Sequence, residues 1–113
     1  MSGALKQTKF VLKGLEVDVT RMRANIDMTK GLVMSEAVMM GLGPYIGREY
    51  AHDLVYDLCR QAITDNRPLI EVLSAHGEIS RHVTRAQLEA MCDPANHLGQ
   101  AGVMVDRVVA HRR

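Results

Sequence analysis

The sequence predicts an all-α fold, and three observations carry that prediction. Apolar residues recur at spacings of three and four through the run from Arg21 to Gln61, RMRANIDMTKGLVMSEAVMMGLGPYIGREYAHDLVYDLCRQ. No segment alternates apolar and polar residues with the period of two that a half-buried strand requires. Glycine, proline and Asp/Asn interrupt the pattern at Gly43-Pro44, Asp65-Asn66-Arg67-Pro68 and Asp93-Pro94. Those are helix stops and restarts.

Taken in order, Ala4 to Leu15 reads as the tail of a helix, with Lys6, Lys9 and Lys13 along one side and Leu5, Leu12 and Leu15 free to pack. Gly14 weakens its end. The lysines form a stripe that suits phosphate or carboxylate, although a solvated face is the commoner use of such a stripe. Asp18 or Thr20 then suits the cap of a short helix carrying Met22, Ile26 and Met28. Leu32 to Leu42 leaves almost no polar face, so a helix surrounded by others is expected, stopped by Gly41, Gly43 and Pro44. After Gly47, the residues Ala51, Leu54, Val55, Leu58, Cys59 and Ala62 make one continuous apolar stripe, with Arg48, Glu49, Asp53, Asp57, Arg60 and Gln61 largely outside it.

Pro68 suits the first turn of a further short helix built on Leu69, Ile70, Val72 and Leu73 and ended near His76-Gly77. An irregular connector is expected next, tucked onto the core by Ile79 and Val83. Thr84-Arg85-Ala86-Gln87 matches a capping box and opens a helix with Leu88 and Met91. The last helix is expected to begin near His97 and to use Leu98, Ala101, Val105, Val108 and Val109. Gly99 and Gly102 weaken it by about 1 kcal/mol each, and close approach to another backbone is the expected return.

A chain of 113 residues is enough for one domain and too few for two, and a domain of that size is expected to bury roughly two-thirds of its unfolded surface. Its core must be aliphatic, since there is no Trp, one Phe and three Tyr against eight Met. Fourteen basic and thirteen acidic residues give a formal net charge of +1, which leaves no broad field for a polyanion. Nucleic acid and membrane surface are therefore not expected partners. No apolar run reaches the ~20 residues of a membrane span, and MSGALKQTKF lacks the apolar stretch of a signal peptide. Cytoplasmic localisation is expected. Cys59 and Cys92 agree, being too few and too far apart for a disulfide framework.

Motifs for chemistry are mostly wanting: there is no phosphate-binding Walker loop, dinucleotide fingerprint, G-x-S-x-G elbow or H-E-x-x-H pair. His52 and Cys59, seven apart on one helix face, supply two metal ligands where a structural zinc needs four. An inert buried thiol beside a boundary histidine is the simpler expectation. Cys92 falls in the last turn of its helix, where the dipole opposes thiolate formation. His76 and His82 read as surface loop residues that lack a positioned partner. Glu36, on the most apolar helix, is expected to pair with Arg21, Arg23 or Lys30 as a structural ion pair.

Three separated blocks then carry a family resemblance: GLEVDVTRMRANIDMTKGLVMSEAV, GREYAH and LEAMCDPANHLGQAGVMVDRV. Together they resemble the C-terminal domain of the fumarase/aspartase superfamily, from about Ala4 to Val109. GLEVD, RMRANID and the D-P-A-x-x-L-G-Q-A run look most like the 3-carboxy-cis,cis-muconate cycloisomerase branch, with adenylosuccinate lyase next. His97 departs from the aromatic residue usual at its position. The resemblance implies a homotetrameric parent enzyme of three helical domains. It also implies lactonisation in the protocatechuate arm of the β-ketoadipate pathway, a route of aromatic catabolism, or fumarate elimination in the lyase branch. It implies that residues 1–15 end a central-bundle helix and that residues 16–113 form the small C-terminal domain.

The same family carries a catalytic serine loop, S-S-x-M-P-x-K-x-N, and histidine-bearing blocks, and this chain contains neither. No position matches a catalytic motif, so no catalytic, cofactor-binding or metal residue is assigned and no cofactor is expected. The expectation is a domain without turnover alone, whose partners are the remaining domains of a parent enzyme or further copies meeting through exposed helices. Two other classes fit the composition. One is a non-catalytic helical interaction module using the Met-rich apolar surface; the other is a small all-α enzyme of chorismate mutase type drawing on Arg21, Arg23, Arg48 and Glu36.

Overall fold

The helices α3 (Ser35–Ile46) and α4 (Arg48–Thr64) form the axis of the molecule, and α5 (Leu69–Ala75) and α7 (Arg85–Cys92) close the core over them. A computed structural model describes residues 2–111. Among those residues helix is the only regular structure, completed by α1 (Ser2–Lys13), α2 (Val19–Asp27), α6 (Gly77–His82), α8 (Ala101–Ala110) and two 3₁₀ turns, Leu32–Met34 and Pro94–His97. The all-α expectation holds. Val38, Leu42, Leu69, Leu73, Ile79 and Leu88 are the largest fully buried side chains, and Ala51, Val55, Leu58 and Ala62 supply the stripe expected of α4.

The corner between α3 and α4 differs from expectation. Pro44 lies inside α3, which runs on to Ile46. Two features permit this: Gly43 has no Cβ to strike the proline ring, and Pro44 is exposed. The stop is Gly47, at φ 84° and ψ 148°, a combination open essentially to glycine alone. Gly41 and Gly43 serve packing instead. A Cβ on Gly41 would sit 2.7 Å from Met91 Sδ, and one on Gly43 would sit 3.3 Å from Arg48 Cγ.

Polar stitches join successive turns. Lys30 (φ 52°) and Asn66 (φ 54°) both take left-handed backbone. Lys30 Nζ donates to the Asn66 carbonyl at 3.0 Å, while the Leu69 amide donates to the Lys30 carbonyl at 3.0 Å. Tyr50 Oη donates to Glu78 Oε2 at 2.7 Å and ties α4 to α6. That hydrogen bond, with the carboxylate's charge, raises the Tyr50 phenol above its ordinary value. Between the two candidate caps of α2, Asp18 is the one used, accepting from the Arg21 amide at 2.8 Å.

Ile79 and Val83 are buried as expected, but the segment is not an irregular connector: Ile79 lies in the helix α6 and Val83 is the extended residue that caps its end. Six residues are too few for a periodic pattern to declare itself. The capping box is present: Thr84 N donates to Gln87 Oε1 at 2.7 Å and the Gln87 amide to Thr84 Oγ1 at 3.3 Å. Replacing Thr84 by alanine is expected to lower stability by about 1 kcal/mol, seen as an earlier urea midpoint with unchanged slope.

The last helix starts at Ala101, after a 3₁₀ turn capped by Asp93, whose Oδ1 accepts from the Ala95 amide at 3.0 Å. Gly99 (φ 56°) makes the turn between them, and nothing lies within 4 Å of a Cβ on Gly102. Neither glycine marks a close backbone approach within this chain.

Candidate functional site

Glu36 stands on the ridge of α3 between two clefts. The first, about 310 Å³, lies between α3 and α4 and is lined by Ser35, Glu36, Met39, His52, Tyr56 and Cys59 among others. The spacing of four along α4 places His52, Tyr56 and Arg60 on one face. The His52 and Tyr56 rings are nearly parallel, 7° apart in plane with centroids 6.5 Å apart. The Arg60 guanidinium lies 5.9 Å from the Tyr56 centroid, within cation–π range. His52 Nδ1 is 3.0 Å from Asp53 Oδ1 at the exposed rim.

Cys59 is half-buried in this cleft. Burial pushes its thiol up, and a hydrogen bond with Ser35 opposes that shift in part. A thiol held above its ordinary value is neutral at pH 7 and a poor nucleophile. Cys92, half-buried at the end of α7, is pushed up by burial in the same way.

The second cleft, about 650 Å³, is an apolar groove between α3 and α7. Val33, Met40, Gly41 and Met91 line it, with Glu36 and His97 at its edge. His97 Nε2 lies 2.9 Å from the Met91 carbonyl and Asn96 Nδ2 donates to the Ala90 carbonyl at 2.9 Å, which fixes the 3₁₀ turn against α7.

Several expectations about individual residues need correction. Glu36 is exposed, and among the described ion pairs it has none: Arg23 pairs with Asp27, and Lys30 bonds to Asn66. Its helix is not surrounded, because its groove side leaves Val33 and Met40 about half-exposed. His76 is the single non-helical residue between α5 and α6, half-buried with its Nδ1 enclosed without a partner, whereas His82 is the exposed last residue of α6 and not part of a loop. Arg21, Arg23 and Arg48 line neither cleft with Glu36, so the geometry gives the mutase-type site no support. Ser35 and Tyr56 line the first cleft without having been singled out. The i, i+4, i+8 spacing of His52, Tyr56 and Arg60 was the signal available for Tyr56, whereas Ser35 has none.

The first cleft thus offers a neutral thiol, a rim imidazole and an exposed carboxylate, and no three His, Cys, Asp or Glu side chains among the described residues are placed to share a metal ion. More informative is what lies outside both clefts: α1, α2 and α8 contain no buried residue. Residues 31–108 match the family described as Adenylosuccinate lyase C-terminus. The chain belongs to the adenylosuccinate lyase C-terminal family. Other members are similar along nearly its whole length. It is 51% identical over 109 residues to trans-aconitate decarboxylase 1 of Mycosarcoma maydis, covering 96% of this chain and 22% of that protein. It is 44% identical over 110 residues to 3-carboxy-cis,cis-muconate cycloisomerase of Pseudomonas aeruginosa, covering 97% and 24%. Among solved structures, the fumarate lyase from Mesorhizobium sp. BNC1 superposes with a TM-score of 0.88 at 47% identity, covering 98% of this chain and 26% of that one. The chain therefore spans about a quarter of the length of these family members, and it shares the all-α C-terminal fold.

Proposed function

We propose that this chain acts as the C-terminal domain of a larger cycloisomerase-type enzyme of the fumarase/aspartase superfamily, shaping or gating a cleft whose catalytic groups lie elsewhere. The observation that carries this reading is the absence of any buried residue in α1, α2 and α8, in a chain whose relatives are about four times as long. Amphipathic helices that bury nothing within their own chain are suited to being covered by another part of an assembly. Residues 1–15 are assigned to the end of a bundle helix and residues 16–113 to the capping domain. The expected assembly is a homotetramer, and the expected compartment is the cytoplasm.

For substrate, we propose an unsaturated tricarboxylate, the class to which both trans-aconitate and 3-carboxy-cis,cis-muconate belong. Lactonisation of the latter moves a proton and closes a carbon–oxygen bond without loss of atoms. It requires an acid or base poised against a carboxylate-rich molecule, and cationic donors to hold it. Neither cleft of this chain assembles that set. A second reading, fumarate elimination of the adenylosuccinate lyase kind, is favoured by the family match over residues 31–108.

The test replaces the C-terminal quarter of the Pseudomonas aeruginosa cycloisomerase with this chain and follows the diene absorbance of 3-carboxy-cis,cis-muconate. No turnover is expected from the chain alone, and turnover is expected from the chimera. Activity of the chain alone sinks the proposal. A folded chimera that leaves both carboxymuconate and trans-aconitate unchanged sinks the substrate class.

A further inference from the structure

We propose that the Lys30 side chain is a releasable latch that fixes the direction in which α2 leaves the core. Little else holds that helix: it contains no buried residue and makes none of the principal helix–helix contacts. Its direction is therefore set by the turn that joins it to Leu32–Met34. Much of the bonding in that turn is local. The Lys30 amide donates to the Asp27 carbonyl at 2.9 Å and the Leu32 amide to the Thr29 carbonyl at 3.1 Å. Such bonds curl the chain without fixing it against the rest of the molecule. Among the described hydrogen bonds of residues 19–31, those of Lys30 alone reach beyond residue 34.

Lys30 is attached at two points. Its carbonyl accepts from the Leu69 amide at 3.0 Å, beside a side chain that is fully buried. A Cβ on the adjacent Gly31 would lie 3.6 Å from Leu69 Cβ, so the turn rests on the core there. The Lys30 ammonium crosses to the other side of Pro68 and donates to the Asn66 carbonyl at 3.0 Å and to Asn66 Oδ1. A segment can turn about one hydrogen bond, whereas a second bond fixes its angle. The two attachments also differ in kind. Leu69 is buried, but Lys30 and Asn66 are exposed, and Lys30 takes part in none of the described ion pairs. When the ammonium lets go, water replaces the Asn66 oxygens at small net cost and no buried charge is left unpaired. The pivot at Leu69 stays while the latch opens.

The backbone marks the same pair. Lys30 (φ 52°) and Asn66 (φ 54°) are the two non-glycine residues with positive φ among the described residues, and they are bonded to each other. Left-handed backbone is disfavoured for a residue with a Cβ, and it persists where surrounding contacts over-determine it, as at clamps and switches. Asparagine tolerates the conformation more readily than most residues. Lys30 is thus the member that has to be held, and Gly31 (φ 90°) extends the left-handed turn at the pivot.

The latch bears on the capping role proposed above, because α2 connects residues 1–15 to the core. It rests on that reading for this consequence alone: its test reads orientation and not turnover, so either can fail without the other. Residual dipolar couplings of the backbone amides in the full chain report how α2 is ordered relative to α3 and α4. In the wild type, one alignment tensor is expected to fit all three helices. Lys30→Met keeps the Cβ and the side-chain reach but removes the ammonium. It is expected to shrink the couplings of α2 toward zero while those of α3 and α4 are kept, which also shows that the core is folded. Asn66→Gly keeps the positive φ and the backbone carbonyl but removes Oδ1, and a smaller loss confined to α2 is expected. A wild-type α2 already ordered independently of α3 and α4 overturns the proposal. So does an α2 that shares their tensor undiminished in Lys30→Met.

Discussion

Replacing Leu42 by alanine is expected to lower the unfolding free energy by about 2–5 kcal/mol, the largest effect of any single substitution considered. Leu42 is fully buried on α3, where it faces the core formed with α4 and α7. The transfer term for the lost methyl groups is common to any buried leucine. What differs here is the room for collapse. The backbone on either side is pinned, because Gly41 leaves its Cβ space to Met91 and Gly43 abuts Arg48. A helix held at both neighbouring positions does not slide inward to fill a void, so the cost is expected in the upper half of that range. Chemical denaturation checks it: the midpoint falls with the slope unchanged. Leu98→Ala, at a site 68% exposed, is expected to leave the midpoint in place, and a loss below about 1 kcal/mol at Leu42 would show that α3 repacks freely.

The second large effect is expected at Gly47. Nothing lies within 4 Å of a Cβ built there, so alanine meets no neighbour and the whole penalty is backbone strain at φ 84° and ψ 148°. That strain is about 1–3 kcal/mol. Gly77 is the matched comparison, since its added Cβ also meets open space while its backbone is ordinary helix. Gly77→Ala is therefore expected to be neutral or stabilising by up to about 1 kcal/mol. Equal midpoints for the two alanine variants would remove strain at Gly47 as the explanation of the α3–α4 corner.

Much of this fold is readable where a local chemical rule has one solution. The capping box at Thr84–Gln87, the Asp18 cap, the restart at Pro68 and the apolar stripe of α4 each follow from groups within four residues of one another. The misreadings arise where two local rules compete or where the deciding group is distant. Pro44 signals a stop, but the preceding Gly43 removes the clash that enforces it. Gly47 has the stronger geometric demand and takes the role. Gly41 owes its place to Met91, fifty residues away, and no local pattern announces that. Glu36 shows a different limit. An apolar helix is equally apolar whether its cover comes from its own chain or from another, so hydrophobicity at Val33 and Met40 reads as burial while the groove remains open. The candidate site was less readable than the fold: His52 and Cys59 share a face by spacing alone, but the cleft exists only because α3 brings Ser35 and Met39 opposite them.

The hairpin of α3 and α4 around Gly47 also bears on the order of folding. These two helices are neighbours in sequence as well as partners in the core, so their docking closes almost no loop and sacrifices little chain entropy. Contacts of such short sequence separation form early and fast. α5 and α7 then add to a surface already present, while α1 and α8 bury no residue that would hold them early. Assembly is therefore expected to begin in the middle of the polypeptide and to leave α1 and α8 for last.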